Sequence, residues 1–394
     1  MSLKSKVIAH IDIDSFFVSA ERKSNPYLID KPIAIASKRK NAISISLSYE
    51  IKKFNISTVQ PISQLQKKIP NLVIVNPNMN LYLDESESFF NFIKENFSDK
   101  IEKFSIDECF LDVTDFYKKF NNKEKMGFYI RDEIKKNLNL PVTVGISFNK
   151  YLAKMATNLA KPFGVKVLEK KDIKKEIYPL ELQALPGLGR QYSKKIFKNQ
   201  NLKISDFINY CKENKNINKN LFHIFQNLTS IGDDKILVEK KTTKLVSRQF
   251  TLENNDNYDA KHILEIIKIL ALDISNKMKR NLLSSNLIFL NFLTFEHEKK
   301  EKKLKLSSYI DDFEIFYKHL VKIFNALWDY QNIKRITVGF LNPVFRNNQK
   351  EIFTKPNLQD NKVESLIEKV NNQMKLNILL TLRQLKENKN KNKL

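Results

Sequence analysis

The sequence predicts an α+β protein of several domains, built from mixed β-sheets with helices packed behind them. The chain has 394 residues, which is more than one hydrophobic core usually organises and indicates about two to four domains. Strand-like and helical patterns alternate over residues 7–168, as they do in a sheet backed by helices. Residues 245–341 follow the order β-α-β-β-α-β, which is a recognised folding unit.

The first element is an apolar run over residues 7–13, followed by a helix-compatible segment over residues 16–21. Period-two alternation places Asp12 and Asp14 on one face of this strand. Two carboxylates so close repel each other unless a cation lies between them, and magnesium prefers such oxygen ligands. The alternative is that Asp14 or Ser15 caps the following helix.

The next elements form a compact insertion. Residues 31–36 are predicted as a strand and residues 37–41 as a basic turn. Within the insertion at residues 41–75, residues 44–49 lead into a short helical segment at 50–54. A longer helical pattern follows over residues 81–97.

A second acidic site interrupts residues 101–113, which read as two short strands separated by Asp107 and Glu108. Adjacent carboxylates at a strand junction are costly unless something charged uses them. Two separated acidic sites on strands are what two-metal phosphoryl transfer requires, with one metal activating the attacking oxygen and the other holding the leaving group. The alternative is a solvated hairpin tip.

The elements after this site continue the alternation. A helix is predicted over residues 123–138, a strand over 142–148, a helix over 151–160 and a strand over 165–168. The charged run at 170–176 marks the crossing to another domain. The segment Leu185-Pro186-Gly187-Leu188-Gly189 then begins a helix that continues to Ile196. It is either a simple connecting turn or a tight glycine turn whose N–H groups bind phosphate.

A basic tether over residues 231–244 precedes the second folded unit. Its predicted elements are a strand at 245–252, a helix at 259–280, strands at 286–295 and 302–307, a helix at 311–330 and a strand at 333–341. Phe324 and Trp328 fit the apolar face of their helix and are expected in the core. One further helix is predicted at 362–385, before a tail rich in Lys and Asn that we expect to be disordered.

Composition limits the classes of function. Lys and Arg number 68 and Asp and Glu 44, a net charge of +24, which favours a polyanionic partner such as nucleic acid and, second, an anionic membrane surface. The alternative is an AT-rich genome that enriches Lys and Asn, but it explains Lys replacing Arg better than it explains the net excess over acidic residues. Cys109 and Cys211 are too few for a disulfide framework, and no glycine-rich nucleotide loop, signal peptide or membrane span is found. We expect a soluble, cytoplasmic protein.

Three segments together resemble the Y-family, or translesion, DNA polymerases. They are Asp12-Ile13-Asp14-Ser15-Phe16-Phe17 with Glu21, Ser105-Ile106-Asp107-Glu108 with Leu111-Asp112-Val113, and Ala160-Lys161-Pro162-Phe163-Gly164. Their order and spacing match, and the resemblance extends over nearly the whole chain. It implies a palm (residues 1–40 and 77–169), small fingers (41–76), a helical thumb with a helix-hairpin-helix (170–230), a linker (231–244), a β-α-β-β-α-β little finger (245–342) and a C-terminal tail (343–394).

The resemblance also implies roles for individual residues. Asp12, Asp107 and Glu108 would hold two Mg²⁺ ions, whereas Asp14 would not be a ligand. The expected nucleotide contacts are Phe16, the steric gate Phe17, Tyr49, Lys52 and Lys161. Two positions depart from the family pattern. Lys52 stands where an Arg is usual and offers a point charge in place of a bidentate fork. Phe163 stands where a small polar residue is more familiar.

Contacts with DNA and with a sliding clamp are also expected. Gly187 and Gly189 of the helix-hairpin-helix would grip phosphates without reading bases, and Arg248, Lys334 and Arg335 lie on strands that would face the duplex. Gln349-Lys350-Glu351-Ile352-Phe353 resembles the bacterial sliding-clamp motif, in which Gln349, Ile352 and Phe353 make the contacts. The alternative is that Ile352 and Phe353 pack onto their own chain.

The resemblance implies a template-directed polymerase that adds dNTPs to a primer with low fidelity and without proofreading, in DNA damage tolerance and repair. Primer-template DNA, dNTPs and the bacterial sliding clamp are the expected partners, with no membrane partner, and a monomer is expected. Two rival classes stay open. One is another two-metal palm enzyme such as a nucleotide cyclase, and the other is a catalytically weak or silent, clamp-associated DNA-binding protein.

Overall fold

A computed structural model describes most of the chain up to Arg346. The described residues are 6–37, 42–188, 202–214, 216–229, 232, 235–238, 243–252 and 259–346. The chain divides into two compact units, Met1–Lys240 and Lys241–Leu394. Gly189, the helix predicted to follow it, the clamp motif at Gln349, Ile352 and Phe353, and the helix predicted at 362–385 lie outside the described residues.

The first unit contains eight strands and nine α-helices within its described residues, besides three short helical turns of the 3-10 and π types. The strands are β1 (Ile8–Ile13), β2 (Ile33–Ile35), β3 (Ser46–Leu47), β4 (Val73–Val75), β5 (Ile101–Lys103), β6 (Glu108–Asp112), β7 (Val142–Ser147) and β8 (Val165–Val167). The helices are α1 (Phe16–Ser24), α2 (Tyr49–Lys52), α3 (Ile62–Lys68), α4 (Met79–Asn96), α5 (Thr114–Tyr117), α6 (Lys123–Leu138), α7 (Lys150–Ala160), α8 (Ile204–Glu213) and α9 (Lys219–Thr229).

The larger sheet of this unit has five strands in the order β5-β6-β1-β7-β8. β1 lies at its centre and is buried at all six positions, because it pairs antiparallel with β6 on one side and β7 on the other. Apolar side chains from β1, α4, α6 and β7 form one core. This is the predicted sheet with helices behind it, and α6 has the predicted bounds.

A smaller sheet of three strands, β3-β2-β4, is built from the insertion and has its own apolar cluster. The strand at residues 33–35 and the helix that begins at Tyr49 were predicted, whereas α3 and β4 were not. Their segments are too short for periodicity to define them. Further along the chain, α8 and α9 lie in the segment expected to be helical, although their bounds were not predicted, and they share a cluster with α7.

The second unit contains the predicted β-α-β-β-α-β order. Its elements are β9 (Leu245–Thr251), α10 (Ala260–Arg280), β10 (Leu283–Thr294), β11 (Lys299–Ile310), α11 (Phe313–Leu327) and β12 (Ile333–Leu341), with β13 (Val344–Phe345) paired to β10. The sheet is antiparallel in the order β11-β10-β12-β9. Both helices pack on one face, where Phe324 is buried as predicted and Trp328 packs against it. The α+β class and this topology are confirmed.

Candidate active site

Two acidic positions meet at the end of β1. Asp12 lies directly opposite Glu108 in the pairing of β1 with β6. Asp107 precedes Glu108 in the β5-β6 loop, and its carbonyl accepts a hydrogen bond of 2.9 Å from the Ile13 N–H. The structure therefore brings the three predicted carboxylate residues to one end of the central strands. Glu108 belongs to a strand and is buried, so the hairpin-tip alternative fits Asp107 alone.

Asp12 occupies a strongly perturbed environment. Burial raises the pKa of Asp12 to about 7 against the opposing pull of Lys161, and the carboxylates of Asp107 and Glu108 contribute to the increase. The Lys161 Nζ lies 2.5 Å from the Asp12 Oδ1. A raised carboxyl pKa among neighbouring carboxylates indicates a site that would gain from a bound cation.

Glu108 is held by two donors. His10 Nε2 and Lys154 Nζ lie 3.1 and 2.6 Å from its Oε2 atom. Burial acts to raise the pKa of Glu108, but the hydrogen bonds from His10 and Lys154 outweigh it and lower the value to about 2. Burial in turn lowers the pKa of His10 to about 4. A neutral His10 that donates from Nε2 accepts at Nδ1, where the Thr157 Oγ1 lies 3.0 Å away.

One face of α7 supplies the basic side of this site. Lys154 and Thr157 are three residues apart and Lys161 follows four residues later, so the three side chains point the same way. They contact Glu108, His10 and Asp12 in turn. Sequence analysis identified Lys161 but missed Lys154, Thr157 and His10. For Lys154 and Thr157, the available signal was their spacing along the predicted helix from Lys161 at its C-terminal end.

The chemistry of the three carboxylates fits a hard divalent cation. Asp12, Asp107 and Glu108 offer oxygen donors, as Mg²⁺ prefers. Among the described residues, no three His, Cys, Asp or Glu side chains are arranged to hold a metal ion. In this arrangement Lys161 and Lys154 contact the carboxylate oxygens that a metal would use.

The two phenylalanines after Asp14 have different environments. Phe17 is partly buried, and its ring stacks on Tyr82 with centroids 4.3 Å apart. The Tyr82 hydroxyl donates a 2.7 Å hydrogen bond to Glu21. The Phe16 ring is only 3% exposed and belongs to the core. The expected nucleotide contact of Phe16 therefore fits its backbone and not its side chain.

Three residues predicted to bind triphosphate surround the turn after β1. The Tyr49 hydroxyl donates to Asp14 Oδ1 at 3.1 Å, and Lys52 Nζ donates to Ser15 Oγ at 2.8 Å. Lys52 also lies 4.6 Å from the centre of the Tyr49 ring. Burial and the nearby Lys161 lower the pKa of Lys52, and burial raises that of Tyr49. The segments carrying Tyr49, Lys52 and Lys161 thus converge on residues 12–15.

The expectations for Asp14 and Ser15 need correction. β1 ends at Ile13, so Asp14 lies in a turn and does not share a strand face with Asp12. Ser15 occupies the N-cap position of α1 with φ at 45°, but its side chain makes no capping bond. Asp14 is buried and accepts hydrogen bonds from other segments. It is neither a helix cap nor paired with Asp12 as first expected.

Phe163, the residue that departs from the family pattern, is 36% exposed and has φ at 50°. Its backbone N–H donates to Asp14 Oδ2 at 2.7 Å, and its carbonyl accepts from Arg131 at 3.1 Å. The Arg131 guanidinium also lies 4.4 Å from the centre of the Phe163 ring. Because this loop is held mainly by backbone bonds, it does not need a small polar side chain at position 163.

The basic residues predicted to face a duplex do not share one surface. Arg335 pairs across β12 and β9 with Thr251 and is exposed on the face of the sheet away from the helices. Arg248 lies opposite buried Val338 and forms an ion pair with Asp273 of α10, so it lies on the helix-covered face. Lys334 is half-buried beside a register shift.

Gly187, the described glycine of the predicted phosphate-binding turn, has φ at 82°, and a Cβ there would meet no atom within 4 Å.

Two family models match the chain. One described as the impB/mucB/samB family covers residues 11–158. One for the C-terminal domain of the same family covers residues 243–352. The chain belongs to this family. The first match spans the three carboxylate residues, and the second spans the β-α-β-β-α-β unit.

Curated relatives and solved structures agree with this membership. DNA polymerase IV of Ureaplasma parvum serovar 3 is 32% identical over 354 residues, covering 88% of this chain and 97% of the relative. DNA polymerase IV 1 of Bacillus subtilis is 26% identical and covers 99% and 96%. A Y-family DNA polymerase chimera matches with a TM-score of 0.72 at 25% identity, covering 86% of this chain and 99% of that one. An insertion ternary complex of Dbh DNA polymerase has the same identity and coverage and a TM-score of 0.57. The resemblance to Y-family polymerases is confirmed.

In the part of the chain that the structure describes, no helix has the length and apolar composition that crossing a membrane requires.

Proposed function

We propose that this chain is a template-directed, translesion DNA polymerase that extends a primer by two-magnesium phosphoryl transfer. The observation that carries the proposal is the convergence of Asp12, Glu108 and Lys161 at the end of β1 and β6. It combines carboxylates suited to metal ions with a cation suited to a triphosphate. Matches to DNA polymerase IV relatives support the same function and do not favour a silent DNA-binding protein.

In the proposed reaction, the primer 3′-hydroxyl loses its proton to solvent and its oxygen forms a new bond to the α-phosphorus of a dNTP. The bond between the α-phosphorus and the oxygen that bridges it to the β-phosphorus breaks, and pyrophosphate leaves with those electrons. Magnesium ions, when bound, would supply charge stabilisation at the attacking and leaving oxygens. Asp12, Asp107 and Glu108 are the residues that would hold them. Tyr49, Lys52 and Lys161 would orient the triphosphate.

We also propose where the chain contacts primer-template DNA. The positive-φ turn at Gly187 would present backbone N–H groups to phosphates, a contact independent of sequence. In the second unit, the face of the sheet away from the helices carries Arg335 and, on β11, Lys299, Lys303 and Lys305. The guanidinium of Arg335 and the ammonium groups of these lysines are suited to bind phosphate oxygens. The small insertion at residues 41–76 would act as fingers that enclose the new base pair loosely, with damage tolerance and low fidelity as the consequence.

Primer extension tests this proposal. The full chain, a labelled primer on undamaged and abasic templates, and the four dNTPs are incubated with and without Mg²⁺. Magnesium-dependent extension on both templates is expected. DNA binding without extension on either template would favour the silent alternative.

The proposal for the sliding clamp concerns Gln349, Ile352 and Phe353, beyond the described residues. An aliphatic–aromatic pair in a segment rich in Asn and Lys could fill an apolar pocket on the clamp and raise the local concentration of the enzyme at the primer. Ile352→Ala with Phe353→Ala should leave single-nucleotide insertion unchanged and abolish stimulation by the clamp. Equal stimulation of the double variant and the parent would reject this role.

A further inference from the structure

Asp14 is a buried carboxylate for which the proposed reaction has no role. Its side chain is 2% exposed, in the turn directly after the strand that carries Asp12. It accepts hydrogen bonds from Thr143 Oγ1 at 2.9 and 3.0 Å, from the Tyr49 hydroxyl at 3.1 Å and from the Phe163 N–H at 2.7 Å. A buried carboxylate is costly unless such donors surround it.

The three donors come from three separate segments. Thr143 belongs to β7, where it pairs with Asp12 and fixes Asp14 to the sheet. Tyr49 opens α2, and Phe163 follows Lys161 by two residues in the loop after α7. Two of the three segments therefore carry residues proposed to orient the triphosphate, and the third anchors Asp14 to the strand pair that carries the carboxylates.

We propose that Asp14 is a positioning residue, which holds Tyr49 and the Lys161 loop in register with Asp12 so that a triphosphate meets both at once. This inference rests on the proposed function. Neighbouring residues 12 and 14 hold the same loop at two points, since Asp12 contacts the Lys161 ammonium and Asp14 the Phe163 N–H. Ser15, the next residue, accepts a hydrogen bond from Lys52 of α2, the helix that also carries Tyr49.

The hydrogen-bond chemistry explains why an acidic residue suits this position. All three partners donate to Asp14, and an ionised carboxylate has enough lone pairs to accept from every one of them. The Tyr49 hydroxyl has a single proton, so it can donate to a phosphate oxygen only after its hydrogen bond to Asp14 breaks. Asp14 therefore fixes the position of the hydroxyl before the nucleotide binds. An Asn could accept from Phe163 and donate to the two hydroxyl oxygens, which would preserve part of the arrangement.

The test compares Asp14→Ala, Asp14→Asn, Tyr49→Phe and the Asp14→Ala/Tyr49→Phe double variant in single-nucleotide insertion. We expect Asp14→Ala to raise the KM for dNTP about tenfold or more while kcat falls less than about threefold, because ground-state orientation is lost. Asp14→Asn should lie between parent and Asp14→Ala. Tyr49→Phe should raise KM in the parent but change it less than about 1.5-fold in the Asp14→Ala background, because the two residues act together.

Ser147→Ala is the matched control, because it removes a buried hydroxyl of the same strand β7 that donates to the Leu168 carbonyl and not to Asp14. Its KM should stay within about twofold of the parent. A merely structural role for Asp14 predicts lower thermal stability with a parental KM in every folded variant. That result, or a full Tyr49→Phe effect in the Asp14→Ala background, would overturn the inference. If Asp14→Ala does not fold, the Asp14→Asn/Tyr49→Phe pair provides the same comparison.

A binding measurement separates this inference from the function on which it rests. Nucleotide affinity is measured for the complex of each variant with primer-template whose primer ends in a dideoxynucleotide and cannot react. The expected loss of affinity should parallel the KM series. Failure of the proposed function would be seen in the parent, as absence of primer extension. Failure of the inference would be seen in Asp14→Ala, as parental nucleotide affinity while the parent extends primers.

Discussion

The ring of Phe17 is held from one side by the stacked ring of Tyr82, whose hydroxyl is tied to Glu21. This support limits how far Phe17 could move away from an incoming sugar. We predict that Phe17→Ala admits ribonucleotides, because the smaller side chain leaves room for a 2′-hydroxyl. The ratio of kcat/KM for a dNTP to that for the matching rNTP should fall by at least about tenfold, or ~1.4 kcal/mol of discrimination.

Insertion of dNTP by the same variant is the internal control, since the Phe17 ring stacks on Tyr82 and carries no group that could bind a metal ion. A Phe17→Ala variant that still inserts dNTPs and still excludes ribonucleotides would show that another side chain is the gate.

His10 makes a prediction about acid stability. Burial lowers its pKa from 6.5 to about 4. Between these pH values His10 is protonated in the unfolded chain and neutral in the folded chain. The stabilisation is complete above pH 6.5 and is lost as the pH falls towards 4, by about 3 kcal/mol in free energy of unfolding. His10→Gln keeps an N–H donor for Glu108 but does not titrate. Denaturant unfolding should therefore show a smaller loss of stability between pH 6.5 and 4 for this variant than for the parent, and equal losses would contradict the assignment.

Residue identities were predictable where they formed a linear pattern. Asp12, Asp107 and Glu108 were found from three short segments whose order matches a family. His10 and Thr157 were not, because their roles depend on α7 crossing β1, and Asp14 was assigned the wrong surroundings because the strand ends one residue earlier than its alternation suggested. Contacts between distant segments are not encoded in local periodicity.

At the scale of elements, the placement of α7 on the central strands depends on Gly145 of β7, which lies opposite His10. A Cβ at this position would lie 2.2 Å from the Ala153 carbonyl oxygen and 2.3 Å from the Thr157 nitrogen. Both are backbone atoms of α7, so the helix itself must move. We predict that Gly145→Ala lowers the free energy of unfolding by about 3 kcal/mol, at the upper end of overpacking costs.

Gly187→Ala is the matched control, because its Cβ would meet nothing within 4 Å and only the positive φ of 82° is unfavourable. It should cost about 1 kcal/mol. Thermal or denaturant unfolding of the two variants measures the difference. Equal destabilisation would mean that α7 can shift freely on the sheet.

Elements whose apolar residues recur with the period of a helix or a strand were predicted well, because that recurrence reflects the one face that packs against the core. α6 shows one apolar face and has the predicted bounds, as does β12 in the second unit. α3 and β4 were missed because each is only a few residues long and packs within its own small cluster. The face of a strand was harder to predict than its existence, as Arg248 and Arg335 show by lying on opposite faces of the same sheet.

For the whole molecule, the net charge of +24 predicts how DNA binding responds to salt. Affinity for primer-template should fall at least about tenfold between about 50 and 200 mM salt, because binding releases counterions from several phosphates. Arg335→Ala should reduce the slope of log affinity against log salt by about 1. Arg248→Ala, whose side chain pairs with Asp273 on the other face, should leave it unchanged. Salt-independent binding of the parent would contradict the prediction.

The overall organisation followed from sequence because each unit has its own pattern. The alternation before residue 169 and the β-α-β-β-α-β order after residue 244 belong to separate compact units, each with its own core. Which domain each segment of the first unit forms is carried by the family resemblance, since composition and periodicity do not distinguish fingers from palm.

The measurement that tests the central proposal most directly is primer extension by Asp107→Ala beside the parent, at equal occupancy of a labelled primer-template in Mg²⁺ buffer. Asp107 is half-buried in the loop before β6 and forms no ion pair with another described residue. Its removal should therefore leave the fold and the DNA affinity intact. We predict that the variant binds DNA as the parent does, within about twofold, but loses at least about a thousandfold in nucleotide addition. Retained extension by this variant would contradict the assignment of Asp12, Asp107 and Glu108 as the catalytic centre.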